Sequence, residues 1–410
     1  MRLSARVLLA TGVFVGIAVA VTIAWELAGD AVTDISLYRT YGERVAGGLV
    51  PYRDFPFEYP PGALPALVLP ALLTQSLEAY RVVFVAELAA VGAVGVLALD
   101  WALRRSGAGE RDHTTALAVV AVMPALLGGV ILTRFDLLPA TLVAAAAALM
   151  VGGRLRAAAL VIGAGIAVKL YPAVLVPVLA VAAWRRGGRR EATMVVGLAL
   201  APVVLIYLPF LVIAPDGVLD SFGRQLGRPL QIESLGAGML LALHHAVGMS
   251  LDWSSGSGSQ NLEGTVPDVV AVLQALAQVV ALGLVWVGFA RGPSTPERLV
   301  RYTAASVVAF VALSKVLSPQ FLVWLVLLVP LVGGPRRRVG LALTAVACAL
   351  TAVWFPARYW ELVREFDPLA SWLVLFRGVT LVALLAVLTV PATEREPARS
   401  RSPAPSPGRT

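Results

Sequence analysis

The feature that most constrains this chain is a succession of long apolar runs separated by short clusters of arginine. A bilayer crossing needs about 20 apolar residues. The runs at 7–28, 79–103, 114–133, 135–152, 155–170, 172–184, 193–214, 266–290, 299–317, 319–333, 338–356 and 371–391 read as twelve crossings. Several are too short for a free-standing span, so they must be broken or bordered by protein rather than lipid. Two further stretches, 61–74 and 235–250, read as half-helices, because either one crossing alone would flip every later basic cluster to the opposite side. The expected fold is an all-α polytopic membrane protein with about 12 transmembrane helices plus outer half-helices. A chain that is 58% hydrophobic and 14% charged has no soluble alternative at this size.

The charges say which way the bundle faces. With the N-terminus inside, the cytoplasmic segments hold 21 of the 33 basic residues and 7 of the 25 acidic ones, a net +14. The rest of the chain then carries −6, a positive-inside pattern. The overall charge of +8 is therefore topology rather than a nucleic-acid footprint, and no nucleic acid is expected as a partner. The expected location is the plasma membrane, multi-pass, with both termini cytoplasmic. Residues 1–391 read as one transmembrane domain, including a first outer loop at 29–78 with interfacial helices and an outer loop at 215–265 carrying a half-helix. The first run reads as an uncleaved signal anchor. Residues 392–410, rich in Pro, Arg and Ser, read as a disordered cytoplasmic tail. The lone Cys348 permits no disulfide within the chain, and His113, His244 and His245 lack zinc-site spacing.

Charge in or beside an apolar span is expensive and points to function, and the outer side has several such groups. Asp30 and Asp34 follow the first span. An amphipathic helix is expected next, with Ile35, Tyr38, Tyr41 and Val45 on one face and Gly47–Gly48 ending it. An aromatic, Pro-rich stretch containing Glu58 and Tyr59 follows. Arg134 and Asp136 occupy a turn with almost no loop. The two lysines, Lys169 and Lys315, stand against 31 arginines, lie at outer span ends, and are each followed by a proline within four residues. Broken helices at membrane depth line cavities. Arg228, Gln231 and Glu233 precede the half-helix at 235–250. The WSSGSGSQN stretch, 253–261, reads as a flexible linker.

No Gly-rich nucleotide loop stands on the inner side. Separated cations with an isolated carboxylate suit transfer from a lipid phosphate. The phosphate is already a good leaving group whose growing charge needs cations, and the acceptor hydroxyl needs one base. A glycosidase would need two carboxylates.

The segments DISLY, GGLVPYRDFPFEYPP, TRFDLLPA, VKLYPAVLVP, RPLQIESL and KVLSPQFLVW, in this order, resemble the polyprenol-phosphate-sugar-dependent membrane glycosyltransferases of the GT-C superfamily. The nearest resemblance is to glycosyltransferase family 87, the actinobacterial α-mannosyltransferase-like proteins, over roughly residues 7–391. It implies a GT-C helical bundle moving a hexose, mannose first, from a polyprenyl-phosphate sugar to a lipid-linked or glycan acceptor on the outer face. It maps the catalytic base onto Asp34, with Asp30 the alternative. Arg134, Lys169, Arg228 and Lys315 become candidates for the donor phosphate. Asp30, Tyr38, Glu58, Tyr59, Asp136, Gln231, Glu233 and Gln320 become candidates for sugar or acceptor contacts. No cofactor beyond the polyprenyl-phosphate donor and no metal ligand is assigned, and a need for divalent metal is left open; membrane lipids are the remaining partner. Some family members use a late outer-loop histidine, whereas this chain has Ser318-Pro319-Gln320 in that turn. The rival reading is a transporter or flippase of a lipid-linked saccharide, which would place charges at the midplane within an internal repeat. A second rival, a non-catalytic assembly partner, would not need these residues to converge.

Overall fold

The computed structural model describes residues 4–29 and 32–390. Asp30 and the tail at 392–410 lie outside the described residues. The chain is a bundle of helices: α1 (Ala5–Leu27), α2 (Ile35–Ala46), α3 (Leu64–Leu73), α4 (Leu77–Arg105), α5 (Glu110–Val122), α6 (Pro124–Leu127), α7 (Val130–Thr133), α8 (Leu137–Val151), α9 (Leu155–Val168), α10 (Val176–Ile213), α11 (Pro215–Leu226) and α12 (Leu235–Val247). A hairpin follows, β1 (Asp252–Gly256) and β2 (Ser259–Glu263), and then α13 (Thr265–Ala290), α14 (Pro296–Ala312), α15 (Val323–Val326), α16 (Pro335–Trp354), α17 (Tyr359–Glu365) and α18 (Pro368–Thr389). Among the described residues, six helical segments are long and apolar enough to cross a membrane: α1, α4, Tyr171–Ile213, α13, α16 and α18. The protein is a multi-pass, all-α membrane protein. The other apolar segments are shorter or broken, which is what their length demanded.

Local chemistry sets the breaks. The α10 segment is two helices joined at a kink, where Gly188 has φ +65° and Gly187 leaves the helical region. The sequence reading of two segments, 172–184 and 193–214, corresponds to its two arms. The expected amphipathic helix forms as α2, and Gly48 at φ +88° ends it. The two half-helices form as α3 and α12, the latter capped by Ser234, whose Oγ accepts from Ala237 N at 3.2 Å. The core is built from small residues. Ten of the fifteen residues of Ala-rich α8 are buried and the rest half-buried, and Gly163 lets α9 approach α10 so closely that a Cβ would overlap the backbone of Ala199.

The arginine-bearing turns gather at one end of the bundle and are cross-linked there. Arg6 pairs with Glu110, Arg156 with Glu191 and Arg337 with Asp112, while Arg185 donates to Gly292 O. The opposite end holds Asp34 and the other polar breaks.

One expectation is corrected. Residues 253–261 are not a flexible linker but most of the β-hairpin. Ser257 and Gly258 both have positive φ, +54° and +70°, which suits a two-residue turn to the twist of antiparallel strands. The hairpin is pinned from the side, because Ile232 N donates to Gln260 O and Leu262 N to Leu230 O, at 3.0 and 2.9 Å. Asn261 and Leu262 are buried. Gly and Ser content signalled flexibility, but the backbone partners at 230–232 override it.

Candidate active site

The site is assembled from helix breaks. Asp34 stands just before α2, and its side chain does not cap that helix. Its Oδ1 lies 2.8 Å from Arg134 Nη1 and its Oδ2 accepts from the Tyr38 hydroxyl at 3.3 Å. Arg134 is extended between α7 and α8, buried, and also donates from Nη2 to Val32 O at 3.0 Å. The Asp34 contact is close but misaligned, so the Nη1 group of Arg134 has no hydrogen-bond acceptor. Burial, and then the neighbouring Asp34 charge, hold the Tyr38 hydroxyl well above its ordinary range, so it acts as a donor.

A second pair lies across an aromatic wall. Asp136, 1% exposed, accepts from Lys169 Nζ at 2.6 Å and from Trp324 Nε1 at 2.8 Å, both on Oδ1. Lys169 is extended, ending α9 at Val168, whose carbonyl the Pro172 ring would meet if the helix continued. Its ammonium lies 4.9 Å from the Phe135 ring centre, and Trp324 stacks between Tyr171 and Phe321 at 3.8 and 4.1 Å. Tyr38, Tyr59 and Phe135 meet edge to face between the two pairs, at 4.9–6.0 Å.

The third group descends from the segment before α12. Gln231 Nε2 donates to Glu233 and to Ser318 Oγ, the latter at 2.9 Å. Glu233 is 2% exposed, and burial pushes its carboxyl up to about 7 against the opposing pull of Arg377, Arg134 and Arg228. Burial also raises Glu58, which feels Asp34, Arg228 and Lys169. These mutual fields place Asp34, Glu58, Tyr59, Arg134, Lys169, Arg228 and Glu233 in one region, although they span 200 residues of sequence. Lys315 sits at the rim, donating to Leu226 O at 3.0 Å. Gln320 lies in the turn before Phe321 and, among the described residues, makes no side-chain hydrogen bond. His244 and His245 lie apart, bonded to Met249 O and Ser371 Oγ at 2.6 and 3.2 Å.

This region also holds seven of the 18 buried side-chain polar atoms that lack a hydrogen-bond partner among the described residues: Asp136 Oδ2, Gln231 Oε1, Glu233 Oε1, Arg228 Nε, Arg134 Nη1, and Arg377 Nε and Nη1. Buried polar groups are nearly always paired, so such a concentration marks a place built for a polar ligand. Arg377, Tyr171, Trp324 and Trp354 were not among the residues singled out from sequence. An arginine inside an apolar span was itself the missed signal for Arg377.

The model of the family described as glycosyltransferase family 87 matches residues 57–319. The chain belongs to glycosyltransferase family 87. The family-matched segment contains Glu58, Tyr59, Arg134, Asp136, Lys169, Arg228, Gln231, Glu233 and Lys315, while Asp34 and Tyr38 precede it and Gln320 follows it. As a member of this family the protein is a membrane glycosyltransferase. Among solved structures, ArnT from Cupriavidus metallidurans bound to undecaprenyl phosphate is similar with a TM-score of 0.47 and 16% identity, over 92% of this chain and 76% of that one. No curated protein matches the sequence.

Proposed function

We propose that this family 87 glycosyltransferase moves a hexose, mannose first, from a polyprenyl-phosphate sugar to a lipid-linked or glycan acceptor at the outer membrane face, with Asp34 as general base. The observation that carries this is a partly exposed carboxylate, oriented by Arg134 and Tyr38, opening onto buried donors that have no protein partner. The acceptor hydroxyl oxygen forms the new bond to the anomeric carbon. The bond from that carbon to the phosphate oxygen breaks, its electron pair stays on the phosphate, and the hydroxyl proton passes to Asp34. The N–H groups of Arg134 and Arg228 face the charge that grows on the leaving phosphate. Lys169 and Asp136 form the wall behind it, and Glu58, Tyr59, Gln231 and Glu233 offer acceptors and donors to sugar hydroxyls.

The test is transfer of label from polyprenyl-phosphate-mannose by the purified protein, with the arabinofuranose donor run beside it. Asp34→Asn should lower the transfer rate by roughly 10²–10⁴-fold, the usual share of a general base, in a protein that still folds and melts cooperatively, only a few degrees lower at most for the lost Arg134 partner. Near-normal transfer by this variant rules the mechanism out.

A further inference from the structure

Among the described residues, Arg377 is a wholly buried arginine within an apolar span. It lies nine residues into α18, about 14 Å along the helix axis from its start at 1.5 Å per residue. It is 0% exposed. Its Nη2 donates to Glu233 O, yet Nε and Nη1 have no partner among the described residues. A guanidinium in an apolar span with unused N–H groups is costly and persists where it serves a site. The protein carboxylate that acts on it, Glu233, takes its hydrogen bond from Gln231 and presents only its backbone oxygen to Arg377.

The surroundings favour an anion. Arg377, Arg228 and Arg134 all act electrostatically on Glu233, and each keeps an unpaired buried N–H. The Trp354 ring centre lies 5.6 Å from the Arg377 guanidinium carbon, and its indole N–H is likewise unpaired. The free N–H groups of Arg377, Arg228 and Trp354 are donors in excess, from two guanidinium groups and an indole, and a guanidinium meets a tetrahedral oxyanion through its planar fork of N–H groups. Sugar hydroxyls would call for acceptors beside each donor, whereas Glu233 is the one carboxylate that acts on Arg377, and its side chain makes no hydrogen bond to that guanidinium. Resting on the reading of the protein as a polyprenyl-phosphate-dependent transferase, we infer that Arg377, with Arg228 and the Trp354 N–H, forms the subsite that binds the phosphate group of the lipid donor.

The experiment measures binding of a long-chain polyprenyl phosphate without sugar to the full-length protein in nanodiscs, with inorganic phosphate as a separate arm. Arg377→Met should weaken polyprenyl-phosphate binding roughly 10- to 100-fold, the range of hydrogen bonds to a charged group. Arg377→Lys keeps the charge but not the fork, and should weaken binding less. Glu233→Gln should bind at least as tightly as wild type, an outcome that misfolding cannot imitate. Inorganic phosphate should bind far more weakly, with the same dependence on Arg377. If the wild type binds polyprenyl phosphate and folded Arg377→Met binds within twofold of it, the subsite is wrong while the proposed function stands. If Arg377→Met does not fold, Arg377→Lys binding as tightly as wild type overturns the subsite just as well. If the wild type binds no polyprenyl phosphate, the proposed function and this subsite fall together.

Discussion

The Asp136–Lys169 pair gives a stability test that needs no substrate. Asp136 is 1% exposed, one oxygen already lacks a partner, and the other holds Lys169 at 2.6 Å and the Trp324 N–H at 2.8 Å. Lys169→Met keeps the aliphatic stem against Phe135, Phe321 and Trp324 but strands the carboxylate. Removing one partner of a buried pair costs about 3–5 kcal/mol, because the other charge stays buried and unmatched. At roughly 2.1 cal/mol/K of unfolding entropy per residue, a chain of 410 residues should melt roughly 4–6 °C lower. Adding Asp136→Asn removes the stranded charge and keeps an acceptor for Trp324, so the double variant should recover at least half of the loss. Thermal denaturation of the four detergent-solubilised proteins completes a double-mutant cycle. Lys169→Met melting within 1 °C of wild type, or a double variant no more stable than the single, would refute the claim that this pair carries a buried, mutually compensated charge.

Two further outcomes are expected. Polyprenyl-phosphate binding should weaken as pH rises through about 7, because Glu233, set there by burial and facing Arg377, Arg134, Arg228 and Tyr359, is neutral below that pH and repels the phosphate above it; Glu233→Gln should flatten the profile, and an equally steep profile in that variant would clear Glu233 of the role. In a Cys348→Ala background, a cysteine at exposed Ser255 should react with a membrane-impermeant maleimide on intact cells and one at exposed Arg189 should not, and the reverse labelling would invert the assigned topology.

Much of this architecture was legible because lipid simplifies the rules. Apolar runs must be helices, and short arginine turns must share a side, so the cross-linked end at Arg6, Arg156, Arg185 and Arg337 could be anticipated from spacing alone. The gathering of Asp34, Arg134, Asp136 and Lys169 followed from the same logic, since each ion sits where a helix breaks. The hairpin was hidden because its stability comes from the segment 230–232, a partner that local composition does not reveal. Trp324 and Tyr171 were hidden for a different reason. Inside an apolar run an aromatic residue reads as lipid-facing, and only the tertiary stack shows that its N–H serves Asp136. Arg377 was passed over because the span around it satisfied the hydropathy pattern.

The bond from Arg377 to Glu233 joins positions 144 residues apart, and its donor lies on α18, the last helix among the described residues. As the chain is synthesised, Glu233 therefore precedes by 144 residues the arginine that holds its backbone oxygen. That contact closes only when α18 brings one charged side chain into the interior, so a product truncated before Pro368 would keep Asp34 and Arg134 while lacking Arg377.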